Sequence, residues 1–200
     1  MRNATSTRIA WALSLLIVLS ALSGCGINNI PTYDEAVTAS WSEVQNQYKR
    51  RADLVPNLVN VVKGYAAHEK DVLTQVVEAR SKVAQMQLPG DVLSNPDAFK
   101  QFQQGQDALS SALSRLMVVV ERYPDLKASQ NFLTLQSQLE GVENRIAVAR
   151  RDYIQAVQRY NTELRTIPGR WWKALMYADA KPKENFTAPP ETEQVPEVKF

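Results

Sequence analysis

The chain has 200 residues, enough for one domain with its own core, and carries 23 Lys+Arg against 21 Asp+Glu. This near balance of charge argues against nucleic acid or another broad electrostatic partner. One cysteine and one histidine leave no disulfide framework, and no metal site made of cysteines or several histidines.

The chain opens with an apolar segment that leads into the only cysteine. Arg2 and Arg8 precede an uncharged apolar run over residues 9–22, and Leu22-Ser23-Gly24-Cys25 ends it. The run is shorter than the roughly 20 apolar residues of a membrane-spanning helix, and it has the form of an export signal. The Leu-Ser-Gly-Cys sequence resembles the lipobox of bacterial lipoproteins.

That resemblance implies cleavage between Gly24 and Cys25, a diacylglyceryl group on the Cys25 thiol, and an acyl chain such as palmitate on the new amino terminus. Loss of residues 1–24, with two arginines, lowers Lys+Arg from 23 to 21 against 21 Asp+Glu. The alternatives are a signal cut without lipidation and a retained short anchor. We expect residues 25–32 to form a lipidated tether. Gly26 in place of aspartate favours an outer membrane facing the periplasm in a two-membrane host.

Helical periodicity runs almost without interruption from Tyr33 to about Leu164. Apolar residues recur three or four positions apart, beginning with Val37, Trp41, Val44 and Tyr48. A turn is expected at Pro89-Gly90. Asn95 is a predicted N-cap with Pro96 at the first helical position, and Tyr123-Pro124 ends that helix.

One helical boundary stays open between residues 34 and 63. Lys49-Arg50-Arg51 suits the end of one helix, and Asp53 before Pro56 suits the start of another. The apolar phase nevertheless continues through this point, as expected for a single helix kinked by Pro56. The sequence is compatible with both.

The last long helix, from about 129 to 165, has the clearest pattern. Its apolar positions are Phe132, Leu135, Leu139, Val142, Ile146, Ala149, Tyr153, Ala156 and Tyr160. Their alternating spacing of three and four makes a heptad seam, expected to end at Pro168-Gly169. The seam needs apolar partners, which are either the chain's own helices or an intermolecular coiled coil.

These patterns predict an all-α fold. Residues 33–167 form an antiparallel bundle of about four long helical segments, and residues 168–179 an aromatic and basic segment. Residues 180–200 form a Pro-rich acidic tail, predicted to be disordered or extended because it has almost no apolar residues before its end.

A second resemblance covers nearly the whole chain after the signal. Its first block is Lys49-Arg50-Arg51-Ala52-Asp53-Leu54-Val55-Pro56-Asn57-Leu58-Val59, Val62-Lys63-Gly64-Tyr65 and His68-Glu69. Its second block is Tyr123-Pro124-Asp125-Leu126-Lys127-Ala128, Asn131-Phe132, Leu139, Glu143-Asn144 and Ala149-Arg150-Arg151-Asp152-Tyr153. Asn161, Pro168-Gly169 and Pro196-Glu197-Val198-Lys199-Phe200 follow in order. Together they resemble the LemA family of bacterial envelope proteins.

The resemblance implies a helical bundle and brings little function, because most members are uncharacterised. Members usually begin with an uncleaved membrane helix, whereas this chain has a lipobox, so the family's membrane topology does not carry over. A related branch is implicated in building magnetosome membranes.

No catalytic site emerges from the residues. His68-Glu69 has Val72 where a zinc hydrolase motif needs a second histidine, so the pair reads as polar residues at a helix junction. A Ser-His-Asp triad has only this one histidine available, and no Gly-rich loop occurs. We therefore predict a protein that is not an enzyme, with no catalytic residues, no metal site and no cofactor.

Two charged or aromatic segments are candidate surfaces. Lys49-Arg50-Arg51 and Asp53 form either a solvated helix end or a docking site for an acidic partner or lipid headgroups. Arg170-Trp171-Trp172-Lys173 combines cations with tryptophans, a composition typical of the membrane–water interface. The alternative for Trp171 and Trp172 is that both cap the open end of the bundle.

The tail ends in Val198-Lys199-Phe200, with Val195 before it. An extended terminus with a final apolar residue is what strand-addition pockets bind, which predicts docking into an envelope partner. The alternative is folding back onto the chain's own bundle.

The sequence thus predicts a lipid-anchored scaffold or adaptor of the cell envelope. Its lipids attach at Cys25, it contacts partner proteins through Val198, Lys199 and Phe200, and homo-oligomers are compatible with the heptad seam. The alternative is a membrane-binding or membrane-shaping protein that uses Trp171 and Trp172.

Overall fold

The structure, a computed structural model, describes Trp11 and residues 26–187. These residues form six α-helices and one short 3₁₀ helix, and no strand occurs among them, so the predicted all-α class is confirmed. The helices are α1 (Asn29–Tyr65), α2 (Lys70–Gln85), α3 (Pro96–Val120), α4 (Pro124–Lys127), α5 (Gln130–Glu163) and α6 (Gly169–Met176), with the 3₁₀ helix at Val92–Ser94.

The boundary left open in the sequence lies inside α1, which is one continuous helix of 37 residues containing Pro56. Proline lacks the N–H that would bond to the carbonyl of Ala52. Pro56 itself is exposed, whereas Ala52 and Val55 are buried, so the apolar stripe faces the core on both sides of the proline. Burial of that stripe keeps the helix in one piece.

The predicted tether over residues 25–32 is wrong for its second half, because α1 begins at Asn29. Ile30 is 3% exposed and belongs to the same core cluster as Val37 and Trp41. The apolar stripe of α1 therefore extends seven residues further towards the amino terminus than the sequence interpretation placed it, and it draws the chain into the body.

The start of α3 is as predicted. Asn95 is the N-cap, its side-chain oxygen accepts a hydrogen bond from the N–H of Ala98 at 3.2 Å, and Pro96 is the first helical residue. The preceding helix α2 ends at Gln85, before the expected turn at Pro89-Gly90.

Helices α1 and α5 pack along most of their length. Side-chain hydrogen bonds join Asn29 to Glu163, Gln47 to Arg145 and Arg51 to Glu143, at 3.2, 3.3 and 3.0 Å. Residue numbers rise along one helix as they fall along the other, so the two are antiparallel. The heptad seam of α5 is covered by the chain's own residues, with Ile146 and Tyr153 5% and 0% exposed.

Residues 181–187, here called the strap, form the first part of the predicted tail. They have no regular secondary structure, yet they lie against the helices. Phe186 is the apolar residue that the sequence interpretation overlooked, and its ring lies 5.1 Å from that of Phe99 and 5.6 Å from that of Tyr153. Aromatic packing of this kind fixes a segment that composition alone assigns to solvent.

Candidate functional site

The first described residue after the predicted lipidation position lies against the start of α6. A side-chain carbon at Gly26 would come within 3.3 Å of Pro168 Cγ and 3.2 Å of Asn29 Nδ2, and φ at Gly26 is +87°. That backbone conformation is open to glycine and strained for other residues. Asn29 donates a hydrogen bond to Glu163 at the end of α5. The start of α1 and the α5–α6 junction are therefore one local structure.

Helix α6 exposes apolar side chains beside this junction. Trp171 and Leu175, one helical turn apart, are 63% and 76% exposed, and Met176 is 56% exposed. Ile167, just before the helix, is 65% exposed. Large apolar groups exposed together, rather than singly, mark a surface that another molecule or a membrane covers. We call these four residues the α6 patch.

Cations surround a shallow depression next to the α6 patch. Arg165, Arg170 and Lys173 line it together with Leu164 and small alanines. Between residues 26 and 187, no carboxylate forms an ion pair with any of the three. The end of the molecule that carries Gly26 therefore combines apolar and basic groups in the manner of a surface that meets anionic headgroups.

The structure divides the predicted tryptophan pair. Trp172 is partly buried and packs against the core cluster that contains Tyr160 and Leu164, whereas Trp171 faces outward. Adjacent positions on a helix lie about 100° apart, so only one of two neighbouring residues can face the core fully. Of the two residues, Trp171 is the one available to a membrane or partner.

The basic cluster at residues 49–53 is also divided, and its interpretation as a solvated helix end is wrong. It lies in the middle of α1, with Lys49, Arg50 and Asp53 exposed and Arg51 only 1% exposed. No single docking surface includes all four residues. The apolar phase of α1 places position 51 on the buried side, which the sequence pattern could have shown.

Arg51 joins three helices through its guanidinium group. It donates hydrogen bonds to Glu143 on α5 at 3.0 Å, and to Ser110 Oγ and Gln106 Oε1 on α3 at 2.7 and 2.8 Å. It also lies 5.0 Å from the ring centroid of Tyr48. A planar fork of donors satisfies such a set of acceptors, which a lysine could not do. This network is structural, and it was not predicted from the sequence.

Glu69, proposed as part of a polar helix junction, has that role. It accepts a hydrogen bond from the hydroxyl of Tyr123 at 2.9 Å and forms an ion pair with Arg122 at 3.1 Å. The hydrogen bond to Glu69 is the main cause that raises the pKa of Tyr123. Glu69 thus connects the start of α2 to the turn after α3.

Two buried tyrosines face the strap. The hydroxyl of Tyr153 donates to the carbonyl of Glu184 at 2.8 Å, and burial raises the pKa of Tyr153. Burial, and then the charge of Asp34, raises the pKa of Tyr160 to about 12. Both side chains are therefore neutral hydrogen-bonding and packing groups at physiological pH.

Two other features are absent from Trp11 and residues 26–187, namely a membrane-spanning helix and a metal site. No helix there has the length and apolar character to cross a bilayer. No group of three or more histidine, cysteine, aspartate or glutamate side chains is arranged there to bind a metal ion. The predicted lipid-attachment and cleavage residues, Gly24 and Cys25, and the predicted contact residues Val198, Lys199 and Phe200 lie outside the described residues.

The sequence model of the LemA family matches residues 40–200. The chain belongs to the LemA family. It is 29% identical over 187 residues to magnetosome protein MamQ 2 of Paramagnetospirillum magneticum, covering 83% of this chain and 68% of that protein. It is 25% identical over 179 residues to magnetosome protein MamQ of Magnetospirillum gryphiswaldense, covering 82% and 65%.

A further relative is protein LemA of Metamycoplasma hominis, 26% identical over 126 residues, which cover 63% of this chain and 53% of that protein. The family and these relatives are not known as enzymes. They point to a membrane-associated envelope protein whose molecular role is poorly defined.

Proposed function

We propose that this LemA-family chain is a lipid-anchored envelope scaffold whose helical body rests on the membrane through the α6 patch and presents its other faces to partner proteins. The observation that carries the proposal is that Gly26 lies close to Pro168, since a side-chain carbon at Gly26 would come within 3.3 Å of Pro168 Cγ. Gly26 directly follows Cys25, so the predicted lipidation position lies beside the end of the molecule that carries the α6 patch and its neighbouring cations.

The anchor and the patch would act at the same place. Consecutive Cα atoms are about 3.8 Å apart, so acyl chains on Cys25 would leave the protein within a few ångströms of Gly26. With Gly26 packed, no long tether separates the body from the bilayer. The body would then meet the headgroups with α6, and two or more acyl chains would keep it there stably.

The side chains of the α6 patch suit that position. Full burial of a large apolar side chain contributes about 1.5–3 kcal/mol, and each cation near an anionic surface about 1 kcal/mol. Trp171 provides an amphipathic ring typical of the interface, and Arg170 and Lys173 provide charge. Each of these contributions is small beside that of two acyl chains, at about 0.8 kcal/mol per buried CH₂. Together they suffice to orient a body that acyl chains already hold.

The surface of the helical body away from the α6 patch is proposed to bind partner proteins. The four longest helices, α1, α2, α3 and α5, are proposed to form an antiparallel bundle that acts as a rigid body without catalytic chemistry. Partner binding through Val198, Lys199 and Phe200, self-association and outer-membrane placement remain predictions. A crosslinking pull-down from membranes, comparing the full chain with one that lacks residues 195–200, tests the partner contact.

Membrane shaping is the second candidate function, and the α6 patch is the observation that favours it. Apolar side chains inserted at headgroup level expand one leaflet of the bilayer relative to the other. The likeness to proteins named for magnetosomes supports a role at a membrane without specifying one. Vesicle remodelling by the lipidated protein, lost with Trp171→Ala, would support this candidate over a purely static scaffold.

Tryptophan quenching tests the membrane contact. The lipidated protein is reconstituted in vesicles whose lipids carry bromine near the headgroup, and its fluorescence is compared with that in ordinary vesicles. We expect quenching that Trp171→Phe largely removes and Trp172→Phe largely keeps, because Trp171 is exposed and Trp172 packs inward. Equal quenching in the wild type and Trp171→Phe would refute the orientation.

A mass measurement tests the anchor separately. The protein extracted from membranes should lack residues 1–24 and carry a diacylglyceryl group on Cys25, and Cys25→Ser should abolish both changes. A mature chain with a free Cys25 thiol would refute lipidation even if α6 contacts the bilayer.

A further inference from the structure

A groove between α3 and α5 is open over part of its length. Its open part is a cavity of about 370 Å³. The apolar lining is contributed by Leu113, Met117, Val120, Phe132 and Leu139. The polar lining is contributed by Ser110, Ser114, Glu121, Lys127, Gln136, Glu140 and Glu143. Leu113, Val120, Phe132 and Leu139 are buried and form the floor, and Met117 is half-buried. A concave apolar floor bordered by polar side chains is the composition of a site that binds an apolar side chain of a peptide.

The strap occupies the neighbouring part of the same groove. Its contacts in chain order are Lys183 with Asn161, Glu184 with Tyr153, Phe186 with Arg150 and Phe99, and Thr187 with Gln103. Positions fall along α5 from 161 to 150 and rise along α3 from 99 to 103. The strap therefore runs towards Ser110 and Glu143, where the cavity begins.

Thr187 is held in line with the groove. The side-chain amide of Gln103 donates to the carbonyl of Thr187 at 2.7 Å, and the N–H of Thr187 lies 3.5 Å from the amide oxygen of Gln103. These two contacts with Gln103 fix Thr187 on α3. The cavity lies further along that line, from Ser110 onward.

The residues that follow are long enough to reach it. From Gln103 to Met117 is fourteen helical residues, or about 21 Å. Residues 188–200 span at most about 43 Å when extended. They include the apolar side chains of Val195, Val198 and Phe200.

We propose that residues 195–200 of this chain bind in the α3–α5 cavity as a continuation of the strap. Side chains alternate along an extended segment, so Val198 and Phe200 would face the apolar floor while Glu197 and Lys199 face outward. Glu140 and Glu143 at the rim are acceptors for Lys199. The segment is already attached next to the cavity, so binding there has the high effective concentration of an intramolecular contact.

This inference is independent of the anchor and of the α6 patch, and it bears on partner binding. A partner that recognises Val198 to Phe200 would have to displace them from the cavity first. The scaffold would then have two states, one with the tail bound in the cavity and one with the tail released.

Photo-crosslinking in the full chain tests the inference. In the test variant p-benzoylphenylalanine replaces Met117, which is half-buried and lines the cavity. In the matched control it replaces the next residue, Val118, which is 70% exposed and does not line the cavity. Membranes containing either variant are irradiated, and crosslinked peptides are mapped by mass spectrometry. We expect position 117 to give an adduct with residues 195–200 at the mobility of a monomer, several-fold above position 118.

Other occupants give other products. An adduct at dimer mobility would assign the cavity to a second copy, and an adduct with another protein would assign it to a partner. Either result overturns the inference, as does equal tail labelling from both positions. If the Met117 variant does not fold, the same probe in place of Phe200 must crosslink to α3 or α5 peptides around the cavity, and its failure to do so is equally decisive.

Discussion

The charge of Glu143 compensates a buried cation, and Glu143→Gln isolates that effect. Arg51 is 1% exposed, and its hydrogen bond to Glu143 is 3.0 Å long. Glutamine keeps the shape and an acceptor oxygen, so the substitution removes charge while leaving the geometry possible. Glu140→Gln is the matched control, because Glu140 is an exposed glutamate on the same helix, three residues earlier.

The cost follows from distance and exposure. Two unit charges about 4 Å apart interact by roughly 4 kcal/mol at an effective dielectric constant of about 20. The side chain of Glu143 is 48% exposed, and solvent screening reduces the interaction to about 2 kcal/mol. We expect Glu143→Gln to lower the free energy of unfolding by about that amount and Tm by about 4–8 °C. Glu140→Gln should stay within about 0.5 kcal/mol.

A double variant separates charge compensation from ordinary packing. Arg51→Met removes the buried cation together with its desolvation cost, and leaves the buried side-chain oxygen of Gln106 without that donor. Once Arg51 is gone, the charge of Glu143 has nothing to compensate. The double variant should therefore lose less stability than the sum of the two single variants, by at least about 1 kcal/mol.

The assay is denaturant unfolding followed by circular dichroism, with all variants in a chain that begins at Gly26. Equal stability of Glu143→Gln and Glu140→Gln would refute the reasoning. Strict additivity in the double variant would refute it as well, because independent sites add and a charge pair does not.

Three further predictions concern backbone space, the strap and pH. Gly169→Ala should lower Tm, because a side-chain carbon there would overlap the backbone oxygen of Glu163. Gly64→Ala, with nothing within 4 Å of the added carbon, should raise stability by about 0.5–1 kcal/mol in thermal unfolding. Phe186→Ala should release the strap from the helices, and limited proteolysis should then cleave the strap faster. Leu175→Ala, at an exposed position, should leave that cleavage rate unchanged. Because the pKa of Tyr160 is raised to about 12, the unfolded chain loses its phenol proton first, so stability present below about pH 10 is lost towards pH 12. Tyr160→Phe should flatten that alkaline loss in pH-dependent unfolding, and an unchanged profile would contradict it.

Local signals in the sequence predicted much of the secondary structure. Asn95 followed by Pro96 marks a helix start within two residues, because capping involves only the first turn. The seam from Phe132 to Tyr160 predicted a long helix with one buried face, and α5 buries that face. Pro56 left a choice that local rules could not make, since both a break and a continuous helix satisfy them.

The candidate site was only partly predictable. The composition of residues 170–173 indicated an interface, yet it could not separate Trp171 from Trp172, because their roles depend on how α6 is rotated against the core. Phe186 was overlooked because its neighbours are polar and prolines surround it. Its partners come from α3 and α5, which are distant in the sequence.

The sequence by itself determined the helical class, the starts of α3 and α5 and the lipobox resemblance at Cys25, because each depends on residues within a few turns of one another. The tertiary structure decided the position of Gly26 close to Pro168, the three-helix network of Arg51 and the path of the strap. Each of these depends on which faces meet when distant helices pack. That choice follows from burial of apolar surface across the whole chain, and no short stretch of sequence records it.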